Sequence, residues 1–531
     1  MERWISLVVS FLLRGFFFPQ TQMGFFLLAL LSLPIFTIYY VYIKFIRTPL
    51  EIQRHFRQQG IGGPSYNPIS GNSGELQCLM MAENKLSSKA ESFNNDQVVQ
   101  KVMPHYYFWS KIYGDQFLYW FGTKPRLAIT DPDMIKQILL NTSGLFPKAR
   151  VSHLVMSLFG EASLIYLEGE QWTAHRKITM QAFNMERIKK LVPEIVASIK
   201  RFLDEIEANI GEENRLELDV FKEFNNLSAD VISRIAFGSN FEEGKHVFEL
   251  QDQLVTIASK ALQTAYVPGS RYLPTKTNRL ARKLQREMKE AITKIIKMNK
   301  TSENPKALLS LLMAPYKTKG NVEKRLSFDD IIDECKTFYL TGKETTANLL
   351  TWVFVLLGSH QEWQEKAREE VVRVCGHEEL PSAEHLSNFK MISIILNEAL
   401  RLYPAAAPPS VREASKDMKL GGLNIPAKTQ LFLPITAIHH DRKIWGEDAQ
   451  KFNPMRFLEP KKPMGSYFPY GLGPRICVGQ HLATVEAKLV LAMILRKYNF
   501  VVSPAYVHAP IQILTVRPQY DAPLIFSRVS S

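Results

Sequence analysis

The chain has 531 residues, 46% hydrophobic and 22% charged, and its 65 Lys and Arg against 52 Asp and Glu give a net charge of +13. That balance excludes a disordered chain and fits a membrane surface, an acidic protein partner or nucleic acid as something to bind. The four cysteines, Cys78, Cys335, Cys375 and Cys477, lie far apart with no CxxC pair, which excludes a disulfide scaffold and a zinc finger or ribbon.

No charge occurs between Arg14 and Lys44, and Met23–Ile43 is densely apolar. A spanning helix needs about 20 such residues, so this stretch predicts one membrane-spanning helix, with Pro34 inside it. Lys44, Arg47, Arg54 and Arg57 follow at once and outnumber Arg3 and Arg14, which places the body of the chain in the cytoplasm. The breaker-rich run Gly60–Ser65 reads as a hinge. Gln116–Gly122 and Arg126–Thr130 predict a hairpin, and residues 170–300 are mostly helical by pattern, with breaks near Gly238 and Pro268.

Ser327 followed by Asp330 predicts a capping box opening a long helix that reaches about Gly358. Mid-helix Gly342 and Thr345 are unfavourable by propensity, and Phe338, Thr341, Gly342, Thr345 and Leu349 share one stripe. The expectation is that Gly342 opens a groove for a diatomic ligand and that a threonine hydroxyl bonds back to the i−4 carbonyl or to that ligand. A second helix covers Gln361–Cys375, and a third ends at Leu402. On the third, Glu398 and Arg401 share a face among apolar neighbours, which argues for a buried ion pair in need of further partners. Strand-like runs follow at Met418–Ile425 and Thr429–Pro434, and a last helix runs from about His481 to Tyr498. Helices dominate, so the fold class expected is mainly α, an α-rich α+β protein with small sheets. There is no basic, aromatic-interleaved patch, so no nucleic-acid binding is expected.

Residues 468–479 read Phe-Pro-Tyr-Gly-Leu-Gly-Pro-Arg-Ile-Cys-Val-Gly. Gly471 and Gly473 permit left-handed turns and close approach of backbone to a flat ligand, and Cys477 sits just ahead of a helix whose N-terminus favours a thiolate. Arg475 is placed to meet an anionic group of the same ligand.

This string resembles the haem-binding loop of cytochromes P-450, Phe-x-x-Gly-x-Gly-x-Arg-x-Cys-x-Gly, at every fixed position, from Phe468 through Gly471 to Gly479. The resemblance implies the cytochrome P-450 fold, haem b, and Cys477 as the proximal thiolate on iron. It implies Arg456, in Phe452-Asn-Pro-Met-Arg-Phe457, as a partner of Glu398 and Arg401 in a structural triad; Met455 departs from a common glutamate. Trp172 and Arg176 resemble the family's Trp-x-x-x-Arg helix, with Arg176 on a haem propionate, and Arg412 resembles a second propionate arginine. Phe338–Leu349 resembles the Ala/Gly-Gly-x-Asp/Glu-Thr-Thr/Ser signature, which implies that Thr345 hydrogen-bonds oxygen at the haem and that Glu344 relays protons. Thr341 departs from the usual Ala or Gly and narrows the space above the haem.

In stretches such as Asp333–Phe338, Asn348–Trp352, His439–Asp441 and Asn226–Ser233 the chain is similar to the plant 72 clan, and within it to the 721 group and the brassinosteroid-inactivating 734 group. That similarity implies a monooxygenase acting on an apolar isoprenoid (a steroid, triterpenoid or diterpenoid). It further implies electrons from NADPH through NADPH–cytochrome P-450 reductase, location in the endoplasmic reticulum membrane, and a monomer. A haem-thiolate isomerase or lyase of oxidised lipids, independent of a reductase, is the alternative. By family position the substrate pocket takes in Phe338, Thr341, Gly342, Ala407 and Ile511. Arg187, Lys189, Lys190, Lys488, Arg496 and Lys497 are candidates for reductase docking. The expected organisation is an anchor over 1–58, a hinge segment over 59–100 and the haem-binding body over 101–531.

Overall fold

In the computed structural model, the residues described are 22–86, 95–238, 241–262, 269–299, 308–317, 323–376, 380–405, 411–458, 462–529; side chains of residues 22–31, 241, 243, 299, 316, 317 and 323 are also outside the description. The centre is the helix Phe328–Ser359. Its capping box is present: Ser327 Oγ accepts from Asp330 N at 3.1 Å and Asp330 Oδ2 accepts from Ser327 N at 2.9 Å. Toward its end Trp352–Leu357 is apolar on all sides, and Leu350 and Trp352–Leu357 are fully buried, as expected of a helix enclosed by others. Each such side chain contributes roughly 1.5–3 kcal/mol by leaving water.

Val220–Phe237 lies along this helix, and its end is set by Gly238, whose φ of 65° takes the left-handed cap. Gln361–Cys375, Lys390–Leu402 and Gln480–Lys497 pack around the other side, with the boundaries expected to within a residue. The predicted hairpin forms as Leu118–Phe121 against Lys124–Ala128. Lys124–Ala128 continues in parallel to Gln430–Phe432, which pairs with Val411–Glu413. Met418–Ile425 is two short strands turning at Gly421 and Gly422. A strand the sequence did not announce, Leu216–Asp219, joins Pro523–Arg528 and Tyr498–Val502. The architecture is helix-rich with small sheets.

The helix Gln22–Tyr42 carries Pro34. Residues 23–31 of the expected membrane span lie outside the residues whose side chains are described, and among the described residues no helix is long and apolar enough to cross a membrane.

Candidate haem site

The cysteine loop is built by its glycines. Gly471 (φ 78°) and Gly473 (φ 75°) both sit in the left-handed region, and a Cβ on Gly473 would fall 2.4 Å from Leu139 O. Gly471 N donates to Phe468 O at 2.9 Å and Cys477 N to Tyr470 O at 2.8 Å, which folds the loop back on itself. Phe468 is buried, and its N–H donates to His439 Nε2 at 3.2 Å. A Cβ on Gly479 would lie 3.9 Å from Cys477 Sγ, an ordinary contact. The Cys477 side chain keeps accessible surface.

Burial pushes the Cys477 thiol up, and the N–H groups of Gly479 and Gln480 and the charge of Arg176 only partly oppose it. A cationic metal is the partner that turns this balance. Of the other cysteines, Cys335 and Cys375 are buried, whereas Cys78 is exposed.

Beside the loop, four cations converge. Arg475 lies over the Trp172 ring, with Cζ 4.7 Å from its centroid, and donates to Glu168 Oε2 at 2.5 Å and Leu167 O at 3.0 Å. Arg412 feels Arg475, and burial pushes it down to about 10. Arg176 feels both Arg475 and Cys477. Lys148, missed in the sequence, bridges to Arg412 and donates to Ile165 O at 2.6 Å; burial and the two arginines push it down to about 7. Among the described residues the one carboxylate that reaches Lys148, Arg412 and Arg475 is Glu168. The buried Nη1 of Arg475 has no partner among the described residues. A cation cluster with one acid and an orphaned donor calls for an anionic ligand, and a haem with its propionates fits it: Cys477 at the iron, Arg176, Arg412 and Arg475 at the rim.

Across the site, Thr345 Oγ1 donates to Thr341 O at 2.6 Å, and Thr341 Oγ1 donates to Thr337 O at 2.8 Å. Each hydroxyl thus turns its lone pairs away from the helix axis. The Glu344 carboxyl is buried, which pushes its pKa up, while a bond from Thr515 and the charge of Arg517 oppose that. Gly342 does not open a groove for a small ligand. A Cβ there would lie 2.5 Å from Cγ1 and 2.6 Å from Cδ1 of Ile232, so the missing side chain makes room for the neighbouring helix. Gly342→Ala is therefore expected to destabilise by about 1–3 kcal/mol through overpacking, and Ile232→Val in the same chain to recover part of it, read by thermal denaturation. Phe338 stacks on Phe183 at 5.2 Å, and Ile511 is half-buried in the hairpin Pro510–Gln512 and Val516–Pro518. Ala407 lies outside the described residues.

Behind the loop, Glu398, Arg401 and Arg456 meet out of water. Arg401 donates to Glu398 through Nε at 2.7 Å and Nη2 at 2.8 Å, and Arg456 Nε donates to the same carboxylate at 3.0 Å. Arg401 Nη1 also donates to His439 O at 2.7 Å. His439 therefore links this trio to Phe468 and the cysteine loop. Met455, by contrast, is 45% exposed.

The sequence matches the cytochrome P450 family over residues 93–523. The chain is a cytochrome P450. It is 40% identical to cytochrome P450 734A1 of Arabidopsis thaliana over 91% of this chain and 93% of that one. Cytochrome P450 CYP749A22 of Panax ginseng is 37% identical over 92% and 94% of the two chains. The fold is that of the retinoic acid-bound cyanobacterial CYP120A1, with a TM-score of 0.73 and 20% identity, covering 88% of this chain and 99% of that one. These findings make the protein a haem-dependent P450 monooxygenase with plant 72-clan relatives.

Two groups of this P450 had no local signal in the sequence. His175, one residue before Arg176, pairs through Nδ1 with Glu334 Oε1 at 2.6 Å and ties the Trp172 helix (Gly169–Ala182) to the long helix. Glu168 reaches Arg475 across 307 positions of chain. Of the docking candidates, Lys189, Lys190 and Lys497 are exposed, while Lys488 turns inward to Leu386 O at 2.9 Å and is a poor docking group.

Proposed function

We propose that this P450 hydroxylates an apolar isoprenoid, with a steroid of the brassinosteroid type favoured over a triterpenoid or diterpenoid. The observation that carries this is the lack of charge in the sequence stretches that family position assigns to the substrate pocket. Among Val151–Ile165, Phe338–Thr341, Ala405–Val411 and Pro510–Leu514 the one Asp, Glu, Lys or Arg is Glu161, and it is exposed. A ligand with a carboxylate or amine would have no partner there, whereas a greasy skeleton would. Similarity to the 734 group favours the steroid.

Haem b held by Cys477 supplies the activation of O2 and insertion of one oxygen atom into a C–H bond. The chain's own residues do the rest. Arg176, Arg412 and Arg475 fix the rim of the group, and the apolar pocket excludes bulk water. Thr345, its proton directed to Thr341 O, offers lone pairs to a water at the pocket, and Glu344 exchanges a proton with that water. Electrons come from NADPH through a membrane-bound reductase, for which the exposed lysines give a docking face. The uncharged run 15–43 anchors the chain in the endoplasmic reticulum, with the body over 101–531 in the cytosol as a monomer; Leu33, Ile35, Phe36 and Ile38 are exposed apolar residues of that run.

Microsomal expression with a reductase, fed brassinosteroids, gibberellins and triterpenes and read by mass spectrometry, tests the substrate class. One hydroxylated product is expected; no conversion of any of them overturns the class, and product from a lipid hydroperoxide without reductase favours the isomerase. Thr345→Ala is expected to keep NADPH consumption and lower product per NADPH by about 10²-fold or more, with peroxide released instead.

A further inference from the structure

The hairpin Pro510–Gln512 and Val516–Pro518 is bonded to the long helix at two points. Trp352 Nε1 donates to Val516 O at 2.8 Å. Thr515 Oγ1 donates to Glu344 Oε1 at 2.6 Å and accepts from Asn348 Nδ2 at 2.9 Å. Asn348 lies one turn after Glu344, so both reach the same hydroxyl. All three side chains are buried, at 7%, 0% and 5% exposure for Glu344, Asn348 and Thr515.

This arrangement is directional. A threonine hydroxyl has one proton, and with the amide of Asn348 filling its acceptor side, that proton goes to the carboxylate. Asn348 Oδ1 is buried without a partner among the described residues, and a water is the donor that fits. Thr345, the residue next to the acid, does not share this work, because its proton goes to Thr341 O. The acid of the oxygen-activating helix is thus gripped by a hairpin that also presents Ile511, Ile513 and Leu514, residues at the pocket by family position.

We propose that Thr515 is the positioning residue of Glu344: oriented by Asn348, it sets where the acid points and makes that posture depend on what presses on the hairpin. This rests on the reading of Glu344 as the proton-relay acid. The charged groups around the carboxyl are Arg517 on the hairpin and Lys343 on the long helix, both favouring ionisation, and Asp252 on Phe241–Leu262, opposing it while binding the Lys343 ammonium at 3.0 Å. Burial works against ionisation, and the Thr515 bond is the strongest single aid to it. Loss of the hydroxyl therefore moves the titration of Glu344 upward.

The test uses full-length haem-loaded protein with reductase in phosphatidylcholine vesicles. Two quantities are followed against pH: the infrared carbonyl stretch of a protonated carboxyl, and peroxide released per NADPH without substrate. Wild type should show one inflection in both, absent in Glu344→Gln. Thr515→Val should raise that inflection by about one pH unit, and Thr515→Ser should restore it. Asn348→Leu, which leaves Thr515 in place, should shift it the same way by less and serves if the valine variant does not fold. An unmoved inflection in a folded Thr515→Val or Asn348→Leu chain, or a serine that behaves like valine, overturns the inference. If Glu344→Gln keeps band and inflection, the reading of Glu344 itself fails; if it removes them while Thr515→Val moves nothing, only the positioning role fails.

Discussion

Cys477→Ala is expected to yield a folded protein with no turnover and no thiolate signature in its haem spectrum. The loop does not depend on the sulfur. Its shape comes from Gly471 and Gly473, from the bonds Gly471 N to Phe468 O and Cys477 N to Tyr470 O, and from Phe468 docked on His439. The Cys477 side chain keeps accessible surface instead of filling a packed core. Removing it should therefore change stability by less than about 1 kcal/mol in the haem-free chain. Activity should fall below detection, because Cys477 is the cysteine that stands in the loop resembling the haem-binding motif. Thermal denaturation of the haem-free chain separates the two effects.

Glu398→Gln is expected to do the reverse and strike the fold first. Arg401 and Glu398 are both fully excluded from solvent and Arg456 nearly so. A glutamine keeps the shape and removes the charge that two guanidinium groups face. Arg456 retains Asp448 at 3.1 Å; Arg401 is left with carbonyl partners only, His439 O and Lys451 O. An uncompensated buried charge costs about 3–5 kcal/mol. The damage should travel through His439 to Phe468, so haem retention falls together with the melting temperature. Met455→Glu, at an exposed neighbour, should move stability by less than about 0.5 kcal/mol. Equal melting temperatures for Glu398→Gln and wild type would remove the triad from the account.

The parts of this protein that could be read from sequence are those whose cause is local. The capping box of Ser327 and Asp330, the helix stop at Leu402 before Tyr403 and Pro404, and the glycine-cysteine loop each follow from residues within one turn or one loop. What escaped was long-range. The strand Leu216–Asp219 exists because Pro523–Arg528 pairs with it from the far end of the chain. Lys148, Glu168 and Thr515 acquire meaning only when folding brings Arg412, Arg475 and Glu344 to them. Gly342 shows the reverse hazard. A glycine in the middle of the long helix invites a ligand-based explanation, and its space is taken by Ile232. At Cys477 the helix N–H groups of Gly479 and Gln480 favour the thiolate, as the sequence predicts, while burial, which local sequence does not show, opposes it.

The most direct measurement is the absorption spectrum of the carbonmonoxy ferrous form of the folded wild-type protein. Coordination by Cys477 gives the red-shifted Soret band of a thiolate ligand, lost in Cys477→Ala. A band at the position of a neutral-nitrogen ligand in protein that melts cooperatively would contradict the assignment of Cys477.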